Sequence, residues 1–318
     1  MKPAVVVVGS FNQDLTWRCA EFPAPGETIV GEFKTGPGGK GSNQAVAAAR
    51  AGAPTAFVGA FGDDSFGRDA QAFLRAEGIT VHAARKKLPT GNAAILVNHR
   101  GQNQIVVALG ANAALAPRDV PSTLLRSARV VVCQHETNLP LNAAVLRTAR
   151  RAGVTTVLNP APMRADFDAR ILAHTDVLIP NESEFVALIA RPGFDEAALH
   201  ALAPAALHSL CRSLGAPTVI VTLGARGCFV SEPSRHTFIP SYTGLKVIDT
   251  TGAGDAFVGG FAAGLVKFSG DQVAAAHFAN AVAALSVTKF GTAPSMPARR
   301  TIDQFIRKHS HVARRPSA

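Results

Sequence analysis

Short, almost wholly apolar runs recur along the chain, and each gives way to a polar cluster. Val5–Val8 leads into Gly9-Ser10-Phe11-Asn12-Gln13-Asp14, and Arg129–Cys133 stops just before Glu136. Val154–Leu158 leads into Asn159-Pro160-Ala161-Pro162, and Asp176–Ile179 into Pro180-Asn181-Glu182-Ser183-Glu184. Val219–Thr222 leads into Leu223-Gly224-Ala225-Arg226-Gly227. A run apolar on both faces belongs to a strand covered on both faces, the condition of a central parallel strand. Helical stretches such as Leu139–Ala152 alternate with these runs. The alternation predicts an α/β fold, a doubly wound, mostly parallel sheet flanked by helices. Ligands in such sheets bind beyond the carboxyl ends of the strands, so the polar clusters are expected to meet along one edge.

Two stretches break the alternation. Ala93–Val97 and Gln104–Ala108 flank the polar turn 98–103 and read as a hairpin, and Thr28–Phe33 reads as a further short strand. Together they predict a small β-sheet lid, its strands inserted at about 12–35 and 91–110 into a single domain spanning 1–318.

Composition narrows the function. With 47% hydrophobic and 17% charged residues the chain has ample material for a core, and it holds no 18-residue apolar run for a membrane helix. The apolar start is too short for a signal peptide and lacks a cleavage site, so it reads as a buried first strand. Cys19, Cys133, Cys211 and Cys228 show no CxxC spacing and suit reduced thiols in a cytoplasmic protein. The net charge of +10 comes from 32 Lys+Arg against 22 Asp+Glu. These bases are scattered, densest at Arg299, Arg300, Arg307, Lys308, Arg314 and Arg315, and aromatic residues are only 6%. That is poor material for stacking bases, so a solvated basic surface is expected and no nucleic-acid partner.

The chemistry concentrates in Val247-Ile248-Asp249-Thr250-Thr251-Gly252-Ala253-Gly254-Asp255-Ala256-Phe257. A β-prone run, a turn of nearly bare backbone and a run of small apolar residues read as strand, turn and buried helix. Backbone N–H groups at such a helix start are free to bind an anion. Asp255 falls in the first turn, where the helix dipole favours its ionised form. A carboxylate beside an anion pocket can serve as general base for an incoming hydroxyl. The alternative is that Asp255 only caps the helix and the glycines only make a tight turn.

Near the other end, Gly36-Pro37-Gly38-Gly39-Lys40-Gly41-Ser42-Asn43-Gln44 precedes an alanine-rich helix. Gly36, Gly38 and Gly41 satisfy G-x-G-x-x-G, with Asp63 or Asp64 about 20 residues on. The long buried strand that should lead into that fingerprint is Val5–Val8, far upstream. A P-loop also fails, because Gly41 follows Lys40. A glycine turn that carries Lys40 and Asn43 toward a small polar ligand fits better. Asn12 and Asp14, two apart, project to one side of a strand and can bind adjacent hydroxyls of a polyol, or else form an Asx turn.

These residues together resemble the ribokinase-like sugar kinases, the phosphofructokinase-B-type family, over essentially the whole length. One family signature is similar to Gly38-Gly39-Lys40-Gly41-Ser42-Asn43-Gln44-Ala45, the other to Asp249 through Phe257. Asn181-Glu182-Ser183-Glu184 and Thr222-Leu223-Gly224 lie between them in the expected order. The resemblance implies that Asn12, Asp14, Gly39, Lys40, Asn43 and Glu136 hold sugar hydroxyls, and that Asp255 takes the proton of the primary hydroxyl. It implies that Gly252, Ala253 and Gly254 offer N–H groups to phosphates. Asn181, Thr222, Gly224 and Gly227 would line the nucleotide site, with Asn280 near the adenine. Glu184 would act on Mg²⁺ through water. Asp249 and Thr251, with Ser286, Lys289, Gly291 and Ser295, would hold a monovalent cation, K⁺.

The activity so implied is ATP-dependent phosphorylation of D-ribose at its 5-hydroxyl, with the lid joining a homodimer. Other small substrates of the family (2-deoxyribose, fructose, adenosine) remain open, as does a non-catalytic sugar- or nucleotide-sensing role. The intact Asp255 and both glycine turns favour catalysis.

Overall fold

The computed structural model describes residues 2–312. Its strands are β1 (Val5–Val8), β2 (Asn12–Arg18), β3 (Glu32–Gly38), β4 (Thr55–Gly62), β5 (Thr80–Lys86), β6 (Asn92–Val97) and β7 (Asn103–Ala108). They continue as β8 (Val130–Cys133), β9 (Thr155–Leu158), β10 (Val177–Leu178), β11 (Thr218–Thr222), β12 (Gly227–Ser231) and β13 (His236–Pro240). The helices are α1 (Lys40–Arg50), α2 (Ser65–Ala76), α3 (Ser122–Ser127), α4 (Leu139–Arg151) and α5 (Glu182–Ile189). Then come α6 (Glu196–Ala201), α7 (Pro204–Ser213), α8 (Ala253–Lys267), α9 (Gln272–Ser286) and α10 (Arg299–Val312). Arg314 and Arg315 of the basic tail lie outside the described residues.

Nine strands form the main sheet in the order β13-β12-β11-β10-β9-β8-β1-β4-β5. Its pairs are parallel from β11 through β5, as the apolar runs predict. Alternation along the strands sorts the core into two layers. Val5, Val7, Val130 and Val132 face the layer that holds buried residues of α1, α2, α8, α9 and α10. Val6, Val8, Val131 and Cys133 face the layer that holds residues of α3 through α7. The small residues of α8 have a packing cause. A Cβ on Gly259 would strike Gln44 and Ala47 of α1, while one on Gly260 or Gly264 would strike Val282 or Ala275 of α9. Among the described residues no helix is long and apolar enough to cross a membrane.

The second sheet has four strands in the order β3-β2-β6-β7 and contains the expected hairpin, β6 with β7. Its other part departs from the sequence reading. The expected strand Thr28–Phe33 is displaced to Glu32–Gly38, paired antiparallel with β2 from Arg18↔Glu32 to Asn12↔Gly38. Residues before Glu32 run past the end of β2 and have no ladder to join. A further difference lies at the far edge of the main sheet. Gly227–Ser231 and His236–Pro240 make an antiparallel hairpin there, where the alternation would have put a helix crossover.

Candidate active site

The exit of β1 and the start of α1 meet through close backbone approach. Gly39 adopts φ 89° just before α1, and a Cβ there would strike the backbone of Phe11 and Asn12. A Cβ on Gly41 would strike Gly9 and Ser10, and one on Gly38 the Asp14 carboxylate. The glycine turn thus lets the start of α1 lie directly against the exit of β1. Glu136, in the loop after β8, closes this corner. Its Oε2 accepts from Ser10 Oγ (2.6 Å), Asn12 Nδ2 (3.3 Å) and the Lys40 backbone N–H (2.9 Å). Asn112 steadies Asn12 by donating to its Oδ1 at 2.9 Å and to Phe11 O at 2.8 Å. Burial, aided by the charges of Glu136 and Asp255, pushes the Asp14 carboxyl up to about 7.

Asp255 sits in the first turn of α8, 7% exposed, after Gly252, whose φ of 79° gives the helix a left-handed N-cap. Both its oxygens are engaged from α1: Asn43 Nδ2 donates to Oδ2 at 3.0 Å and Gln44 Nε2 to Oδ1 at 2.9 Å. Burial works against the Lys40 charge, but Asp255, Glu136 and Glu184 more than offset it and hold its pKa above the usual ammonium range. A cavity of about 190 Å³ joins Lys40, Asn159, Asn181, Glu184, Thr222, Gly252, Gly254 and Asp255. A Cβ on Gly254 would meet nothing within 4 Å, so the helix start is open on that side. The first N–H groups of a helix have no intrahelical partners, and here they adjoin a cavity with a cation across from them.

On the opposite wall Asn181 and Glu184 form a capping box at the start of α5. Asn181 Oδ1 accepts from Glu184 N at 2.8 Å, and Glu184 Oε2 accepts from Asn181 N at 2.9 Å. Burial raises the Glu184 carboxyl against the opposing effects of the Asn181 N–H and Lys40. Thr222 ends β11 at the cavity. Gly224 follows at φ 50° with only Glu182 near its would-be Cβ, at 3.9 Å, whereas a Cβ on Gly227 would strike Ile239 and Ser241. Gly227 is therefore required by the β12–β13 hairpin itself. Asn280 stands apart from the cavity lining. It is buried, and its amide donates to Ile239 O (3.3 Å) and Pro240 O (3.2 Å) at the end of β13.

The residues expected around a monovalent cation are gathered in part. Asp249 accepts from Thr251 N at 2.9 Å and Gly291 N at 3.0 Å. Burial opposes its ionisation, but these bonds and the Arg18 charge outweigh it and hold the carboxyl below the usual range. Ile248 N and Asp249 N both donate to Val287 O, at 2.8 and 3.2 Å, which draws in the segment after Ser286. The Ser286 and Ser295 hydroxyls are turned into their own turns, toward Ala283 O and Thr292 O, and the Lys289 N–H donates to Ser286 O.

The sequence reading assigned no role to Ser10, Asn112, Gln44, Gln134 or Asn159, all of which belong to this network. Ser10, Gln44, Asn159 and Asn112 (in Gly110-Ala111-Asn112-Ala113-Ala114-Leu115, after the hairpin) stand inside stretches that carry the family resemblance, so their polar type was the available signal. Gln134 had none. His135 is a packed histidine, buried against Phe167, and burial pushes its imidazole down to about 4.

A corner of hydrogen-bonded polar side chains beside a buried carboxylate at a bare helix start is the arrangement of a small-molecule phosphotransferase. The model of the pfkB family carbohydrate kinases matches residues 2–299, and the chain belongs to that family. A ribokinase of Mus musculus is 38% identical over 309 residues, covering 94% of this chain and 93% of its own. The structure of ribokinase from Giardia lamblia matches with a TM-score of 0.87 at 35% identity, over 97% of this chain and 100% of that one. That of Arabidopsis thaliana ribokinase complexed with ribose and ATP matches at 0.85 and 31% identity, over 96% and 99%.

Proposed function

We propose that this carbohydrate kinase transfers the γ-phosphoryl group of ATP to the 5-hydroxyl of D-ribose, giving ribose 5-phosphate and ADP. One observation carries the reading: Asp255 stands where the hydroxyl-binding corner and the open start of α8 meet, held at both oxygens by Asn43 and Gln44. Asn12, Asp14, Asn43 and Glu136 offer the mixed donors and acceptors that a pentose needs. Glu136 spends one oxygen on three protein donors and keeps the other for a hydroxyl. Asp255 accepts the proton of the 5-hydroxyl as its oxygen attacks phosphorus. The N–H groups of Gly252 and Gly254, which line the cavity, meet the phosphate charge, whereas the Ala253 N–H expected beside them is donated to Thr250 O at 3.1 Å. Positioning with electrostatics lowers most of the barrier. The similarity to ribokinases of Mus musculus and Arabidopsis thaliana supports the choice of sugar.

The donor set also fits metals. Glu184 lines the cavity with one carboxylate oxygen not used by its cap, which suits a Mg²⁺ held mainly by phosphates and water. When bound, Mg²⁺ neutralises phosphate charge. Asp249, tied through its oxygens to Thr251 N and Gly291 N, and the segment 286–291 drawn in beside it are where a K⁺ would be held next to the helix start. The lid supports a homodimer: β7 is exposed along its whole length, with Ile105, Val106 and Val107 outermost. Four free cysteines, three of them buried, are in keeping with a reducing cytoplasm.

The test of the sugar is an ADP-release assay across ribose, 2-deoxyribose, fructose and adenosine. The highest kcat/KM is expected for ribose. A higher value for any of the other three would replace ribose, and no release with any of them would remove the catalytic reading.

A further inference from the structure

The Asp255 carboxylate is held by a chain of three amides whose directions are mutually determined. An ionised carboxylate only accepts, so the Gln44 group that faces Asp255 Oδ1 at 2.9 Å is its NH₂. Asn159 imposes the same choice independently. Its Nδ2 donates to Ile179 O at 2.9 Å, which turns Oδ1 toward Gln44, and Gln44 Nε2 donates to it at 3.1 Å. Gln44 Oε1 therefore points away from the site, where Gln134 Nε2 donates to it at 2.6 Å. Gln44 and Gln134 are both fully buried, and the backbone of Gln134 is tied by Asn142 Nδ2 donating to its carbonyl at 2.5 Å.

The last member of the chain is left unsatisfied. Gln134 Oε1 is buried with no partner and lies over Gly9, where a Cβ would strike it. A buried polar atom without a partner costs stability, and an apolar side chain of the same volume would avoid that cost. The other end of the same amide, Nε2, is the one turned to Gln44. With Gln134 donating, Gln44 is held with its NH₂ toward Asp255; reversed, Gln44 would present a carbonyl oxygen to a carboxylate.

We propose that Gln44 is a positioning residue for phosphoryl transfer, its amide held in one direction by Gln134 and Asn159 so that it aims and stabilises the ionised Asp255. The inference rests on Asp255 being the base. Other charged groups act on Asp255 as well: Asp14 from β2, Lys40 from α1 and Glu184 from α5, with Glu136 acting on both Asp14 and Lys40. None of them depends on Gln44, so its removal leaves their contributions in place.

The test is kcat against pH at saturating sugar and ATP, which keeps the sugar-side carboxyls occupied, for the full chain and its variants. Gln44→Met fills the same volume without a donor and is expected to move the acid limb up by about one pH unit, with the rate recovering at high pH. Gln134→Met should move it the same way by less, and the double variant no further than Gln44→Met alone. Val46→Ala, in the same helix and also buried, should lower the Tm without moving the limb. If Gln44→Met lowers kcat equally at every pH or leaves it unchanged, the inference is overturned. Should that variant not fold, an unmoved limb in Gln134→Met overturns it equally. Asp255→Asn separates the two readings: retained kcat removes the base and the relay together. Lost kcat with an unmoved limb in Gln44→Met removes the relay alone.

Discussion

Asn43 donates its amide to Asp255 at 3.0 Å, while its own Oδ1 is buried with no partner. One side chain thus holds the base and keeps an unused acceptor beside it. A sugar hydroxyl is the natural donor for that oxygen. Asn43→Ala is expected to raise the KM for ribose about tenfold, the value of one net hydrogen bond of ordinary strength, and to lower kcat as well. Initial-rate kinetics at varied ribose check this; an unchanged KM would remove Asn43 from the sugar site.

Asp255→Asn keeps the shape of the side chain and removes its ability to take a proton. As general base Asp255 contributes about 10²–10⁴-fold, so kcat should fall by that factor while KM changes little. Thermal melting should stay within a few degrees of wild type. A variant that keeps more than about a tenth of kcat would return Asp255 to a helix-start role.

Asp14 gives the site a pH dependence near neutrality. Its pKa of about 7 in the folded protein exceeds the ordinary 3.8, so the folded state binds a proton that the unfolded state releases earlier. Stability from this group is complete below about pH 4 and is lost as pH rises through 7. Asp14→Asn should therefore raise the Tm at pH 8 relative to wild type and matter little at pH 4. The wild-type KM for ribose should fall as pH rises through 7, because the ionised carboxylate is the better acceptor, and Asp14→Asn should flatten that profile. Tm and KM measured across this range check both effects.

The Asp249 segment is expected to make the enzyme sensitive to the monovalent cation. Replacing K⁺ by Na⁺ at constant ionic strength should lower kcat clearly, and Asp249→Ala should blunt the difference. Equal rates of the wild-type enzyme in the two salts would dismiss the cation assignment while leaving the kinase reading intact.

Val106 is 73% exposed on the edge strand of the lid. Sedimentation should find a dimer at micromolar concentrations, and Val106→Lys should shift it to monomer, because an edge charge opposes strand pairing. A wild-type monomer would exclude the lid as an interface between copies.

The main sheet was readable because its central strands are apolar on both faces, a pattern that local sequence carries in full. The lid was readable only where its hairpin turn is local, at 98–103. Thr28–Phe33 has strand-forming residues, yet the strand begins at Glu32, because pairing is set by where β2 ends. The β12–β13 hairpin was missed for a related reason. Gly227 looks like any turn glycine, and its need for a bare Cα comes from Ile239 and Ser241 across the hairpin.

The candidate site divides in the same way. The sequence alone determined which backbone segments could be bare, where a helix could begin with free N–H groups, and which carboxylates and amides stood beside them. These are properties of neighbours along the chain. Only the tertiary structure decided that Gln44 meets Asp255 across 211 residues and Gln134 across 90. Hydrogen bonds over such separations depend on how α1 and α8 pack, and that packing is set by glycines whose missing side chains reveal a neighbour only once the neighbour is in place.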